Sequence, residues 1–147
     1  MQILTLTEGM AGMESQVKGL ANAVSSLTGW KVENRQAQAK APWCWLPAGV
    51  CPLPQFSLPA HQKLSAPWPK LLITCGRRSF PYAAMVAQKS KGQTFTVHIQ
   101  APDSGLNKVN LIVAPMHDAT TGPNVIQTLG AVHHLTRENL ATAAKIW

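Results

Sequence analysis

A short apolar run, residues 3–6 (Ile-Leu-Thr-Leu), passes through Glu8-Gly9-Met10-Ala11-Gly12 into a segment with helical period. Met13, Val17, Leu20, Val24 and Leu27 recur at steps of four, three, four and three, which lines one helix face. A strand thus runs into a helix through a turn carrying two glycines, where the missing Cβ atoms allow a sharp bend and close approach by a ligand. The first amides of such a helix point into the turn and suit a phosphate or carboxylate group. Packing alone is the other role open to these glycines.

The same alternation continues along the chain. Gly29 suits the stop of the first helix, and residues 30–33 (Trp-Lys-Val-Glu) read as a second strand. Residues 70–75 (Lys-Leu-Leu-Ile-Thr-Cys) form a continuous apolar run, as expected of a strand buried on both faces. Ser79 is placed to cap the next helix, Pro81 suits its first turn, and Tyr82, Met85 and Val86 supply its inner face. Residues 94–99 are rich enough in β-branched side chains to be a strand, and residues 110–114 form another. Residues 125–129 make one more short strand. Thr136 caps a last helix running to Trp147, with Leu135 and Leu140 as a hydrophobic staple. Strands alternating with helices at this spacing predict an α/β fold: one domain over residues 1–147, a doubly wound parallel, Rossmann-like sheet with helices on both faces.

Residues 41–69 break the pattern. Pro42, Pro47, Pro52, Pro54, Pro59, Pro67 and Pro69 forbid any long helix or strand, and Trp43, Trp45, Leu46, Val50, Leu53 and Phe56 lie among them. Such an insert could fold back over the sheet, or could meet a lipid or a membrane interface through Trp43 and Trp45.

Composition narrows the function. The net charge of +7 is spread through the middle of the chain without a basic run or interleaved aromatics, so no nucleic-acid partner is expected. A phosphorylated ligand or an anionic membrane surface suits the charge better. Cys44, Cys51 and Cys75 show no Cys-x-x-Cys spacing, so reduced thiols and no structural zinc or other metal are expected. No apolar run approaches the roughly 20 residues of a membrane span, and the first residues lack a basic leader. A cytoplasmic chain is expected, peripheral to the inner membrane if the insert makes contact.

In doubly wound sheets ligands bind beyond the carboxyl ends of the strands. The unusual polar residues fall in those loops: Glu8, Gly9, Gly12 and Gln16, then Arg77, Arg78 and Ser79, then Gln100 and Asp103, then His117, Asp118 and Asn124. Arginine forks suit phosphate oxygens, and a histidine beside an aspartate suits a general base. The arginines could equally pair with carboxylates on the same rim, and His117 with Asp118 could simply fix a loop. The dinucleotide fingerprint lacks its third glycine and no Gly-x-Ser-x-Gly elbow is present, so no cofactor is expected.

The chain resembles the mitochondrial-fission Elm (elongated mitochondria) family and its bacterial relatives. The matching stretches are Thr7-Glu8-Gly9-Met10-Ala11-Gly12-Met13-Glu14-Ser15-Gln16, Ala41-Pro42-Trp43-Cys44-Trp45-Leu46-Pro47 and Gly76-Arg77-Arg78-Ser79. Thr94-Phe95-Thr96-Val97-His98-Ile99-Gln100, His117-Asp118 and Gly122-Pro123-Asn124-Val125 continue the match in order. The absence of an N-terminal extension is more similar to the bacterial members. Glu8 stands where the family commonly has Asp or Asn, and Ala101-Pro102-Asp103 where it tends to have Asp-Pro-Arg. The resemblance implies the N-terminal, acceptor-side domain of a GT-B-like glycosyltransferase, with a sugar nucleotide or polyprenyl phosphate as ligand. It also implies a missing second domain or partner chain, without which the chain is inactive. The plant members imply an alternative, a non-catalytic adaptor module.

Overall fold

The structure, a computed structural model, describes residues 1–145. Strands β1 (Gln2–Thr7), β2 (Lys31–Gln36), β3 (Leu71–Cys75), β4 (Phe95–Ile99), β5 (Leu111–Pro115) and β6 (Val125–Thr128) form one parallel sheet. Their spatial order is β2-β1-β3-β4-β5-β6, the doubly wound, Rossmann-like arrangement expected. Ile3 lies opposite Leu71, and Ile73 opposite Val97, so the apolar runs read from the sequence stack side by side.

Parallel neighbours cannot be joined by a hairpin, so every link must cross a face of the sheet. Helix α1 (Ala11–Thr28) crosses one face and buries Val17 and Ala21 on Ile3, Leu71, Ile73 and Val97. It stops at Gly29, whose amide donates to the Ser25 carbonyl at 2.8 Å. Leu27, read as part of the inner face, lies in the last turn and is exposed, because the helix there has run past the edge of its apolar stripe. Strand β2 extends to Gln36, three residues beyond the expected end, since pairing with β1 up to Thr7 carries it there.

The opposite face is covered by α3 (Phe80–Lys89), which follows the short α2 (Pro54–Ser57) in the chain. Tyr82, Met85 and Val86 of α3 pack on Leu4, Leu6 and Leu72. The insert completes this layer with Leu58, Leu64 and Trp68. Its second half therefore folds over the sheet, in the place a crossover helix would hold, while Trp45, Val50, Leu53 and Phe56 of its first half stay exposed. Beyond β4, Leu106 and Val109 close a third cluster with Phe80, Ala83 and Ile112.

The last segment turns back to α1. Val132 joins the first core, and a Cβ on Gly19 would collide with the His133 backbone. Helix α4 (Arg137–Ala144) follows, and the Thr136 hydroxyl accepts the Asn139 amide at 3.1 Å as expected of its cap. Leu135 and Leu140 remain about half exposed, so no closed staple forms. The expected run of this helix to Trp147 lies outside the described residues. Among the described residues no helix is long and apolar enough to cross a membrane.

The two halves of the insert differ in what they contribute to stability. Leu58→Ala is expected to cost about 3 kcal/mol, within the range for a buried leucine. Leu53→Ala, at an exposed site, is expected to stay within about 0.5 kcal/mol. Urea unfolding of both variants checks the contrast.

Candidate functional site

Strand order reverses between β1 and β3, the place where doubly wound sheets open a crevice at their carboxyl ends. The loops that leave these two strands carry Glu8-Gly9 and Gly76-Arg77-Arg78. Gly9 has φ of 100°, and a Cβ there would stand 2.9 Å from the Gln36 amide nitrogen. Gly76 has φ of 92°, and a Cβ would overlap the Met13 thioether at 2.6 Å. Both turns therefore require glycine, which lets α1 start close against β3.

Helix α1 begins without a side-chain cap, and its first hydrogen bond runs from the Glu14 amide to the Met10 carbonyl at 2.9 Å. Among the described residues the amides of Ala11, Gly12 and Met13 meet no acceptor. The carboxylate in this first turn faces sideways: Glu14 accepts from Gln36 at 2.8 Å and from Lys18 at 3.2 Å. The Gln36 hydrogen bond, then Lys18, holds the Glu14 carboxyl below its usual range.

Arg78 joins three parts of the chain. Its Nε lies 3.7 Å from the Glu8 carboxylate, and its Nη1 donates long hydrogen bonds to the Cys44 carbonyl at 3.4 Å and the Leu46 carbonyl at 3.3 Å. Below it opens a cavity of about 280 Å³ bounded by Glu8, Gln38, Trp43, Cys44, Arg78 and Tyr82. The Tyr82 hydroxyl meets Ser57 Oγ at 2.7 Å, and burial pushes this phenol up from its ordinary pKa. Arg77 points away from that cavity and pairs with Asp103 at 3.4 Å. Both arginines thus meet carboxylates on the rim, one of the two roles open to them from the sequence. These pairs are substantially exposed and of the kind worth under about 1 kcal/mol, so an incoming anion can displace them.

The remaining sequence candidates are dispersed. Gly12 lies inside the first turn of α1, not in the loop, with open space where a Cβ would stand. Gln16 sits further along α1, about 8 Å from its start at helical rise. Ser79 occupies the cap position of α3 but makes no cap bond. Its buried hydroxyl donates instead to the Cys75 carbonyl at 2.6 Å, with the Gly76 carbonyl at 2.9 Å, and so is spent on the turn. Gln100 holds the rim at the end of β4 with φ of 81°, a left-handed position rare for this residue type. His117 and Asp118 form an exposed pair at 3.4 Å in the turn after β5, on the order of 10 Å from β3 at sheet spacing. The pair lines neither the switch-point cavity nor the broad groove along α3. Asn124 is not on this rim at all. It precedes β6 at the opposite end of the sheet, and its amide donates to the Leu106 and Val109 carbonyls at 2.7 and 3.0 Å. A nine-residue connection had to carry the chain back before β6 could run parallel to β5, and Asn124 closes that return.

Gln38, Trp43 and Tyr82, which line the cavity, were not singled out for it from the sequence, because nothing local signals that the insert arches back over β1. His98 also lies close to the site, under the start of α3. Its Nδ1 meets Thr74 Oγ1 at 2.7 Å and Phe80 sits edge-on at 4.9 Å. Burial pulls the His98 pKa down to about 3 and pushes the Cys75 thiol at the end of β3 up to about 12.

A family model described as mitochondrial fission ELM1 matches residues 11–147. The chain belongs to the mitochondrial fission ELM1 family. It is similar to a protein from Arabidopsis thaliana described as mitochondrial fission protein ELM1, 25% identical over 111 residues. That match covers 60% of this chain and 26% of the relative, so the chain spans about a quarter of the relative's length. No solved structure matches. Most of the site lies inside the family match: Arg77, Arg78 and the insert fall within it, and Glu8 and Gly9 lie just before its first residue.

The state of His98 makes a signed prediction. The unfolded chain takes up a proton below about pH 6.5, whereas the folded chain resists until about pH 3. Stability is therefore full above pH 6.5 and falls with added acid across that window, by at most about 1.4 kcal/mol per pH unit. His98→Leu is expected to flatten the slope by roughly one proton in urea titrations between pH 7 and 4.

Proposed function

We propose that this chain is the acceptor-side domain of a two-domain, GT-B-like sugar transferase, binding a phosphate-bearing or lipid-linked acceptor and inactive without its second domain or a partner chain. The observation that carries the reading is the cavity at the switch point, lined by the Arg78 guanidinium and by Glu8, from which the chain runs directly into the uncapped start of α1. Free helix amides and an arginine fork are both suited to phosphate oxygens. Arg77 places a second guanidinium on the same rim, outside this cavity and paired with Asp103. Glu8 and Gln38 offer acceptors and donors for hydroxyl groups. The His117–Asp118 pair, set apart from this cavity, would act as a general base only on an acceptor long enough to extend along the rim to the end of β5.

Titration calorimetry with a short-chain prenyl phosphate, a sugar nucleotide and inorganic phosphate tests this. At least one ligand is expected to bind, and the double variant Arg77→Ala/Arg78→Ala to lose it with an unchanged circular dichroism spectrum. Glu8→Gln is expected to tighten phosphate binding several-fold, because it removes the carboxylate that competes for Arg78. Equal affinity in the double variant removes the arginines from the site.

A second reading, a non-catalytic binding module acting in organelle fission, is supported by the description of the plant relative. A protein partner recovered by pull-down, together with no phosphate ligand bound, decides for it.

A further inference from the structure

The insert between β2 and β3 is divided in its use of apolar side chains. Leu58, Leu64 and Trp68 turn inward, whereas Trp45, Val50, Leu53 and Phe56 are 78%, 52%, 47% and 56% exposed. The outward set stands on a fixed backbone. The Val50 amide donates to the Pro47 carbonyl at 3.0 Å, the Phe56 amide to the Leu53 carbonyl at 3.0 Å, and the Lys40 amide to the Ser57 carbonyl at 2.8 Å. Arg78 grips the Cys44 and Leu46 carbonyls from below. Single exposed apolar residues are ordinary, but four on one braced segment mark an interaction surface.

Charge says what kind of surface. From Asn34 to Pro102 the chain contains no aspartate or glutamate, and every charged residue there is lysine or arginine. Lys40 and Lys63 lie exposed in or beside the insert, and Lys40 reaches to 6.0 Å from the Trp43 ring centroid. Arg77 lies alongside together with the Asp103 carboxylate that it pairs with, each 3.9 Å from a Cβ built on Gly49.

We propose that the outer half of the insert, through Trp45, Val50, Leu53 and Phe56 with the exposed cations Lys40 and Lys63 of the same stretch of chain, docks on an anionic lipid surface. Indole and phenyl rings settle at the headgroup boundary, and the surrounding cations are drawn by the negative surface potential. Neither signal alone holds a protein at a membrane, and here both occupy one segment. The tryptophans divide the work: Trp45 meets lipid, while the half-buried Trp43 stays on the cavity wall. The proposal stands whether or not the cavity takes a phosphate.

Vesicle co-sedimentation of the full chain tests it. Binding is expected to phosphatidylcholine–phosphatidylglycerol vesicles, not to phosphatidylcholine alone, and to weaken with added salt. Trp45→Ser/Phe56→Ser and, separately, Lys40→Glu/Lys63→Glu are each expected to weaken binding about tenfold or more at unchanged melting temperature. Equal binding to neutral vesicles, or unchanged binding in both variants, overturns the proposal. A lipid-free dimer that Trp45→Ser/Phe56→Ser dissolves also overturns it, assigning the patch to a second copy. These vesicles carry no sugar acceptor and the calorimetric titrations carry no vesicles, so each result stands apart from the other.

Discussion

Strands β1 and β3 are buried on both faces, and that requirement shapes the rest of the chain. Their backbone groups are satisfied by parallel pairing, but their side chains need an apolar layer above and below. Helix α1 supplies one layer through Val17 and Ala21. The other is shared between α3 and the insert, because Tyr82 and Met85 leave room that only Leu58, Leu64 and Trp68 fill. A fully buried leucine contributes on the order of 2 kcal/mol, which is enough to hold a proline-broken segment in place without a regular helix.

That solution leads to the site. Folding the insert over β1 brings Trp43, Cys44 and Leu46 above the turn after β3, where Arg78 can reach their backbone and Glu8 together. The cavity is walled on one side by regular strand ends and on the other by irregular chain. Its two charges are balanced, Arg78 with Glu8, and outside it Arg77 pairs with Asp103 and Lys18 with Glu14. Under the proposed function, a ligand with its own negative charge would re-partner Arg78 without meeting a bare cation. The insert of this ELM1-family chain is both wall and brace: its first half lines the cavity through Trp43 and Cys44, and its second half packs on the sheet through Leu58, Leu64 and Trp68.

Alternation of apolar runs with helical period was enough to specify the parallel sheet, because such runs have few other ways to bury themselves. The edges of that reading failed where local pattern stops carrying information. Leu27 keeps the helical period but has no sheet beneath it. Asn124 follows β5 in sequence, yet the return of the chain before β6 places it at the far end. Ser79 stands where a cap belongs, but its hydroxyl finds the Cys75 carbonyl closer.

The sequence by itself determined the strands, the glycine turns after β1 and β3, and the presence of arginines beyond them, since propensity, period and turn chemistry act within a few residues. Tertiary structure alone decided which of the rim residues meet. Arg78 reaches Glu8 while His117 and Asp118 stand two strands away, because strand order is set by packing among distant segments. It also decided which half of the insert became core and which half faces water. Leu58 and Phe56 look alike in sequence, and only the space left between α3 and the sheet separates them.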